Sequence, residues 1–129
     1  MSVLGIGTDI IEIARILKVY ERQGNKLCQR ILTPYELDVL TSKLSEQQQI
    51  AYLAKRWCAK EAVAKALGTG IAQGVVFQDI EIKNNEFGAP EVSLSGGAAG
   101  RLKQLGGSKA LLSISDETHY AVAFCQVVK

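Results

Sequence analysis

Residues 45–68, SEQQQIAYLAKRWCAKEAVAKALG, decide how the rest of the chain is arranged. Ser45 with Gln48 is a capping pattern, good helix formers run from Ala51 to Leu67, and Gly68 ends the run, so the stretch reads as the longest helix of the protein. At ~100° per residue counted from Ile50, Ala54 falls at ~40°, Trp57 at ~340°, Ala64 at ~320° and Glu61 at ~20°. On this reading Glu61 is a carboxylate in the middle of the apolar stripe and points at the core. A buried carboxylate without a partner costs several kcal/mol or takes up a proton, so the position calls for a cation, a metal or a donor network. A structural ion pair with Arg or Lys fits as well as a functional site.

Upstream of this helix, Val3 to Ile6 is a short apolar strand reaching a turn, with Asp9 at its exit. Helical spacing begins near Ile13, with Ile13, Ile16, Leu17 and Tyr20 on one side and Arg15, Lys18 and Arg22 on the other, and stops at Gly24. A short helix over Lys26 to Ile31 follows. Thr33-Pro34-Tyr35-Glu36 then supplies an N-cap threonine, a proline at the first helical position and a capping-box glutamate. Downstream the texture turns to strands. Val75 to Lys83 alternates, Asn84-Asn85 and Gly88 turn the chain into Pro90 to Leu94, and a hairpin is predicted. A short Ala-rich helix over Gly96 to Leu105 precedes two more strands, Ala110 to Ser115 and Tyr120 to Val128, joined by a turn at Asp116 to His119. Helices thus gather in the first half and antiparallel strands in the second, which makes the chain α+β rather than a series of βαβ units. Strand order stays open.

The chain has 129 residues, less than one ordinary domain length of ~150, so a single domain over 1–129 is expected. Aromatics are only 6%, so the core must be aliphatic and alanine-built, and thin cores of that kind lean on oligomerisation. Fifteen basic against 13 acidic side chains leave a net charge of +2, which excludes the strongly basic balance of a general nucleic-acid binder. The distribution says more: Arg15, Lys18, Arg22, Lys26 and Arg30 have only Glu21 as acidic company. That run is either a docking surface for an acidic partner or a solvated helix face. Cys28, Cys58 and Cys125 are odd in number and share no CxxC spacing, so neither a disulfide framework nor a zinc site is indicated. Asp9 and Glu12 interrupt the amino terminus too early for a signal peptide, and the longest uncharged run, Ala66 to Gln78, falls short of the ~18 residues that span a bilayer. A cytoplasmic protein is expected, without membrane or nucleic-acid partners.

Lys65 lies one turn beyond Glu61, and the pair reads either as an ordinary i,i+4 contact or as the start of an anion site. The helix then ends in Gly68-Thr69-Gly70, whose backbone N–H groups and hydroxyl suit phosphate oxygens, although Gly68 as a plain C-cap explains the glycine equally. It is not a Walker loop, since the glycines follow the helix. Asp9 is a second carboxylate from another element. Two carboxylates plus substrate phosphates are what Mg2+ prefers, while an N-cap to the first helix is the structural alternative for Asp9.

Taken together, Gly5-Ile6-Gly7-Thr8-Asp9-Ile10-Ile11-Glu12-Ile13, Arg56-Trp57-Cys58-Ala59-Lys60-Glu61-Ala62-Val63-Ala64-Lys65-Ala66, Gly68-Thr69-Gly70-Ile71 and Tyr120-Ala121-Val122-Ala123 resemble the holo-acyl-carrier-protein synthase family of phosphopantetheinyl transferases. The match keeps the family's order over nearly the whole chain. What the resemblance implies is transfer of the 4′-phosphopantetheine arm from coenzyme A to a serine of apo acyl carrier protein, with release of adenosine 3′,5′-bisphosphate. It implies Mg2+ on Asp9 and Glu61, with Asp9, Glu61 and Lys65 as the catalytic set. CoA would be bound by Lys65, Gly68, Thr69, Gly70 and Arg56, and the acidic recognition helix of the carrier protein by Arg15, Lys18 and Arg22. It further implies a homotrimer with active sites between subunits. The alternative is a non-catalytic trimer that binds CoA or an acidic partner. Many members of the family carry a histidine after the strand matching Leu112 to Ser115. Here Asp116 stands there, and His119, the single histidine, reads as a turn residue.

Overall fold

The computed structural model describes residues 2–129. The chain runs β1 (Val3–Glu12), α1 (Ile13–Gln23), α2 (Asn25–Ile31), α3 (Pro34–Thr41), α4 (Glu46–Ala66), a 3-10 turn at Phe77–Asp79, β2 (Ile80–Asn84), β3 (Pro90–Leu94), α5 (Gly96–Gln104), β4 (Lys109–Asp116) and β5 (Tyr120–Val128). This is the α+β arrangement that the sequence texture predicts. The strands form two antiparallel sheets, one in the order β1-β5-β4 and a separate β2-β3 hairpin. First and last strands are therefore neighbours, with Asp9 opposite Ala123 and Gly7 opposite Cys125.

The capping signals act as the sequence indicates. Thr33 and Glu36 make the reciprocal box, Glu36 N–H to Thr33 Oγ1 at 3.3 Å and Thr33 N–H to Glu36 Oε1 at 2.9 Å. Ser45 Oγ accepts from Gln48 N–H at 3.1 Å to open α4, and Gly24 ends α1 with φ of 59°. Two expectations are corrected. β1 runs three residues past Asp9, and the residue before α1 is Glu12, so Asp9 is neither a strand exit nor an N-cap. The alternating run from Val75 becomes strand only at Ile80, because the Asp79 carboxylate folds back to the Val76 N–H and closes a 3-10 turn.

α4 is the spine. On one side Ala59, Ala62, Val63 and Ala66 pack on the sheet residues Ala121, Ala123, Cys125 and Val127, all buried. On another, Leu53, Ala54 and Ile50 meet Ile16 of α1, Leu27 and Ile31 of α2, and Leu32 just beyond it. Enclosure from several directions leaves α4 without the single apolar stripe assumed for a surface helix. Its less buried positions include Trp57, Glu61 and Lys65, which recur every fourth residue along one strip. Glu61 is accordingly half-buried at the edge of a cleft, not turned into the core. The charged side chains that α4 does bury are Arg56 and, completely, Lys60. Among the described residues no helix is long and apolar enough to cross a membrane.

Candidate active site

The site begins with two glycines. Residues 5, 7 and 9 of β1 point to one side of the strand, and there β1 lies directly on the backbone of α4. A Cβ on Gly5 would overlap the Ala66 carbonyl, and one on Gly7 would overlap the Ala62 carbonyl and stand 2.6 Å from the Ala66 nitrogen. Only glycine permits that approach, and Asp9, the next residue on the same side, is thereby set beside the Trp57, Glu61 and Lys65 strip. Beneath it the Cys58 thiol donates to the Asp9 carbonyl at 3.3 Å. Burial raises the Cys58 thiol to about 12, with Asp9 adding to the rise, and burial raises Cys125 to about 12 as well. At neutral pH both stay protonated and supply no thiolate nucleophile. All three cysteines are free.

A cleft of about 390 Å³ opens over this junction, lined by Asp9, Ile10, Ile11, Arg15, Ile16, Val19, Trp57, Glu61 and Lys65. Lys65 Nζ lies 3.0 Å from Asp9 Oδ1 and 3.0 Å from the Thr8 carbonyl oxygen. Trp57 Nε1–H donates to Glu61 Oε1 at 3.3 Å, and the indole is held edge-on to Phe77 with ring centroids 6.2 Å apart. The two carboxylates thus come from different elements, and each has one oxygen engaged by a donor. Such a set, hard oxygens alone with no thiolate or imidazole among the lining residues, has the chemistry for Mg2+. It would leave the remaining coordination positions to water and substrate phosphate.

The structure brings together Asp9, Glu61, Lys65 and Arg15 in this cleft. Lys18 and Arg22 lie further along α1 with their side chains in solvent. Gly68, Thr69 and Gly70 do not line it. Their N–H groups are spent closing the helix, Gly68 on Lys65 O at 2.9 Å, Thr69 and Gly70 on Ala64 O at 3.3 and 3.1 Å. Gly68 and Gly70 both have positive φ, 82° and 62°. The Thr69 hydroxyl donates to the Gly70 carbonyl at 2.8 Å. Arg56 is buried on the far side of α4 from the cleft, stacked 4.8 Å over the Tyr52 ring, with Nη2 3.4 Å from Asn84 Oδ1 and its Nε unpartnered. It helps line a second, polar pocket of about 140 Å³ with Lys55, Asn84 and Asp116, where Lys55 Nζ and Asp116 Oδ2 stand 3.8 Å apart. His119 is exposed at the turn before β5. Its carbonyl accepts from Ile13 N–H at 2.9 Å, and its own N–H donates to Glu117 Oε1 at 2.7 Å.

Two features escape sequence reasoning. The contact of Trp57 with Glu61 had a signal, since the two fall on one helix face four residues apart. The Lys60–Glu36 pair had none, because its partners are 24 residues apart in the chain.

The 4′-phosphopantetheinyl transferase superfamily matches residues 5–125. A holo-[acyl-carrier-protein] synthase from Shewanella amazonensis is 61% identical over 123 residues, covering 95% of this chain and 96% of that protein. The crystal structure of holo-[acyl-carrier-protein] synthase from Neisseria meningitidis superposes with a TM-score of 0.89 at 40% identity, covering 99% of this chain and 100% of that one. The corresponding synthase from Bacillus anthracis, solved in complex with CoA (3′,5′-ADP), gives 0.81 at 37% identity, covering 97% and 96%. With matched residues that take in both the Gly-x-Gly-x-Asp strand and the Lys-Glu-Ala helix, the chain belongs to the 4′-phosphopantetheinyl transferase superfamily, within its holo-[acyl-carrier-protein] synthase family.

Proposed function

We propose that this chain transfers 4′-phosphopantetheine from CoA to a serine of apo acyl carrier protein, leaving adenosine 3′,5′-bisphosphate. The observation that carries the proposal is the meeting of Asp9, Glu61 and Lys65 in one cleft with Arg15 at its rim. Phosphoryl transfer asks mainly for positioning and charge neutralisation. Asp9 and Glu61 would hold Mg2+, which when bound would neutralise charge on the CoA pyrophosphate. Lys65 would donate to the same phosphate oxygens through a charge-assisted bond. Glu61 keeps one oxygen on the Trp57 indole, so its other oxygen is the candidate for accepting the serine proton, directly or through water. The serine Oγ would then bond to the phosphorus next to the pantetheine arm as the bond to the departing bisphosphate breaks.

Arg56, unpartnered at Nε in its polar pocket, is a second place for a CoA phosphate. Asp116 lines that pocket too, so the carboxylate that stands where many relatives have histidine would be read by Lys55 rather than by CoA. The Gly68-Thr69-Gly70 turn, with its amides occupied, would contribute the Thr69 oxygen and the space a side chain would fill. Arg15, Lys18 and Arg22, in solvent on successive turns of α1, suit the acidic face of a carrier protein. We further propose a homotrimer working in the cytoplasm. It is supported by the outer face of the β1-β5-β4 sheet, where Ile6, Ile10, Leu111, Tyr120, Val122 and Phe124 are each 40–67% exposed.

Intact-mass spectrometry of apo acyl carrier protein incubated with this protein, CoA and Mg2+ tests the reaction. A gain of one phosphopantetheine is expected, abolished by EDTA and reduced at least ~100-fold by Glu61→Ala. No gain with several carrier proteins, despite CoA binding, would move the chain to the non-catalytic CoA binder.

A further inference from the structure

Lys65 makes a choice of partner that its place on the helix does not dictate. One turn beyond Glu61, it is spaced for an i,i+4 pair. Its ammonium instead crosses to β1, where Asp9 Oδ1 and the Thr8 carbonyl oxygen each lie 3.0 Å away. Glu61 is drawn off in the other direction by the Trp57 indole at 3.3 Å. The ammonium therefore gathers two hard oxygens at the carboxylate that the proposed function gives to Mg2+, a cation bound through oxygens of this kind. A divalent ion on the same carboxylate would meet this positive charge at close range, where like charges repel even when partly screened. Nor is the lysine fixed there. Its side chain is 49% exposed, and its flexible four-carbon stem lets the charge swing into the cleft.

We propose that Lys65 is a tethered competitor for the cation at Asp9, and that CoA phosphates relieve the competition by drawing the ammonium onto themselves. Metal and CoA then bind as a linked pair: each strengthens the other, by the same factor, beyond what direct contact between them supplies. The inference rests on the metal and CoA assignments made above and concerns how the two ligands are coupled.

Mn2+ titrated into the whole protein by calorimetry, with and without CoA and with no carrier protein present, tests it without any turnover. Lys65→Met keeps the apolar stem and removes the charge. Arg15→Met removes a charge from the same cleft, and among the described residues Asp9's ion-pair partner is Lys65, not Arg15. Without CoA, Lys65→Met is expected to bind Mn2+ about two- to fivefold more tightly than the wild type, the range that an exposed ion pair represents. The tightening of Mn2+ by CoA should shrink by a similar factor. Arg15→Met should change Mn2+ affinity less, and Lys65→Arg should bind Mn2+ no more tightly than the wild type. Unchanged or weaker Mn2+ binding by a folded Lys65→Met, or an equal gain in Arg15→Met, overturns the competition. A wild type that binds CoA but takes up no Mn2+ with or without it overturns instead the metal assignment on which the proposal stands.

Discussion

Gly7 has no room for a methyl group, and what would block it is backbone. Its missing Cβ would overlap the Ala62 carbonyl and crowd the Ala66 nitrogen, neither of which can rotate aside as a side chain would. Adding the Cβ must lift β1 from α4, and Asp9, two residues along the same side, would move with it. Gly7→Ala should therefore lose about 1–3 kcal/mol of stability and lower the rate of phosphopantetheine transfer well beyond what the fraction unfolded explains. Gly100 in α5, where a Cβ meets open space, is the control: Gly100→Ala should hold the rate and gain up to about 1 kcal/mol. Urea unfolding beside the mass assay reads both. A folded Gly7→Ala with full rate would show that strand-to-helix clearance does not set the site.

Buried at the meeting of four elements, Lys60 uses all three ammonium protons. They go to Glu36 Oε1 at 2.6 Å, to Ile31 O at the end of α2 at 2.7 Å and to Phe77 O in the 3-10 turn at 3.2 Å. Glu36 in turn accepts from Thr33 N–H and, through Oε2, from Ile82 N–H of β2 at 2.9 Å. Burial pushes the lysine down from its ordinary value, while Glu36 pulls it back up. Removing one partner strands the other charge, so Lys60→Met or Glu36→Leu alone should cost about 3–5 kcal/mol. Together they should cost clearly less than the sum, as a double-mutant cycle in urea would show. Strictly additive losses would mean the two groups are not coupled. This element also marks where the sequence stops being informative. The Thr33–Glu36 box, the α4 caps and the β2-β3 hairpin rest on local spacing and were readable, whereas the grouping of Asp9 with Glu61 and Lys65 came through the family resemblance. The charge buried by α4 was misplaced onto Glu61, because a helix wheel supposes one covered side and α4 is covered on several. Asp9 looked like a strand end because Gly7 and Thr8 read as a turn, whereas the strand continues with its carboxylate on the covered side. Two glycines and a helix it faces make that possible, and that pairing is long-range.

For the whole molecule, the outward face of the β1-β5-β4 sheet leaves Ile6 and Ile10 of β1, Tyr120, Val122 and Phe124 of β5 and Leu111 of β4 exposed. If copies of the chain cover it, light scattering should give a multiple of the 14.0 kDa chain mass, expected to be three. Phe124→Lys should shift that mass toward a single chain and cut the transfer rate, while an unshifted mass would leave the face to another partner. β1 is the edge strand of this sheet, and its alternation turns Asp9 toward α4 and Ile10 outward. The same strand thus carries a proposed ligand on one side and a proposed subunit contact on the other. Through mass action, dilution that frees the outer side would also slacken the backbone under Asp9. Output per molecule would then fall in cells that hold few copies, and expression level would act as a control on carrier-protein maturation steeper than simple proportion.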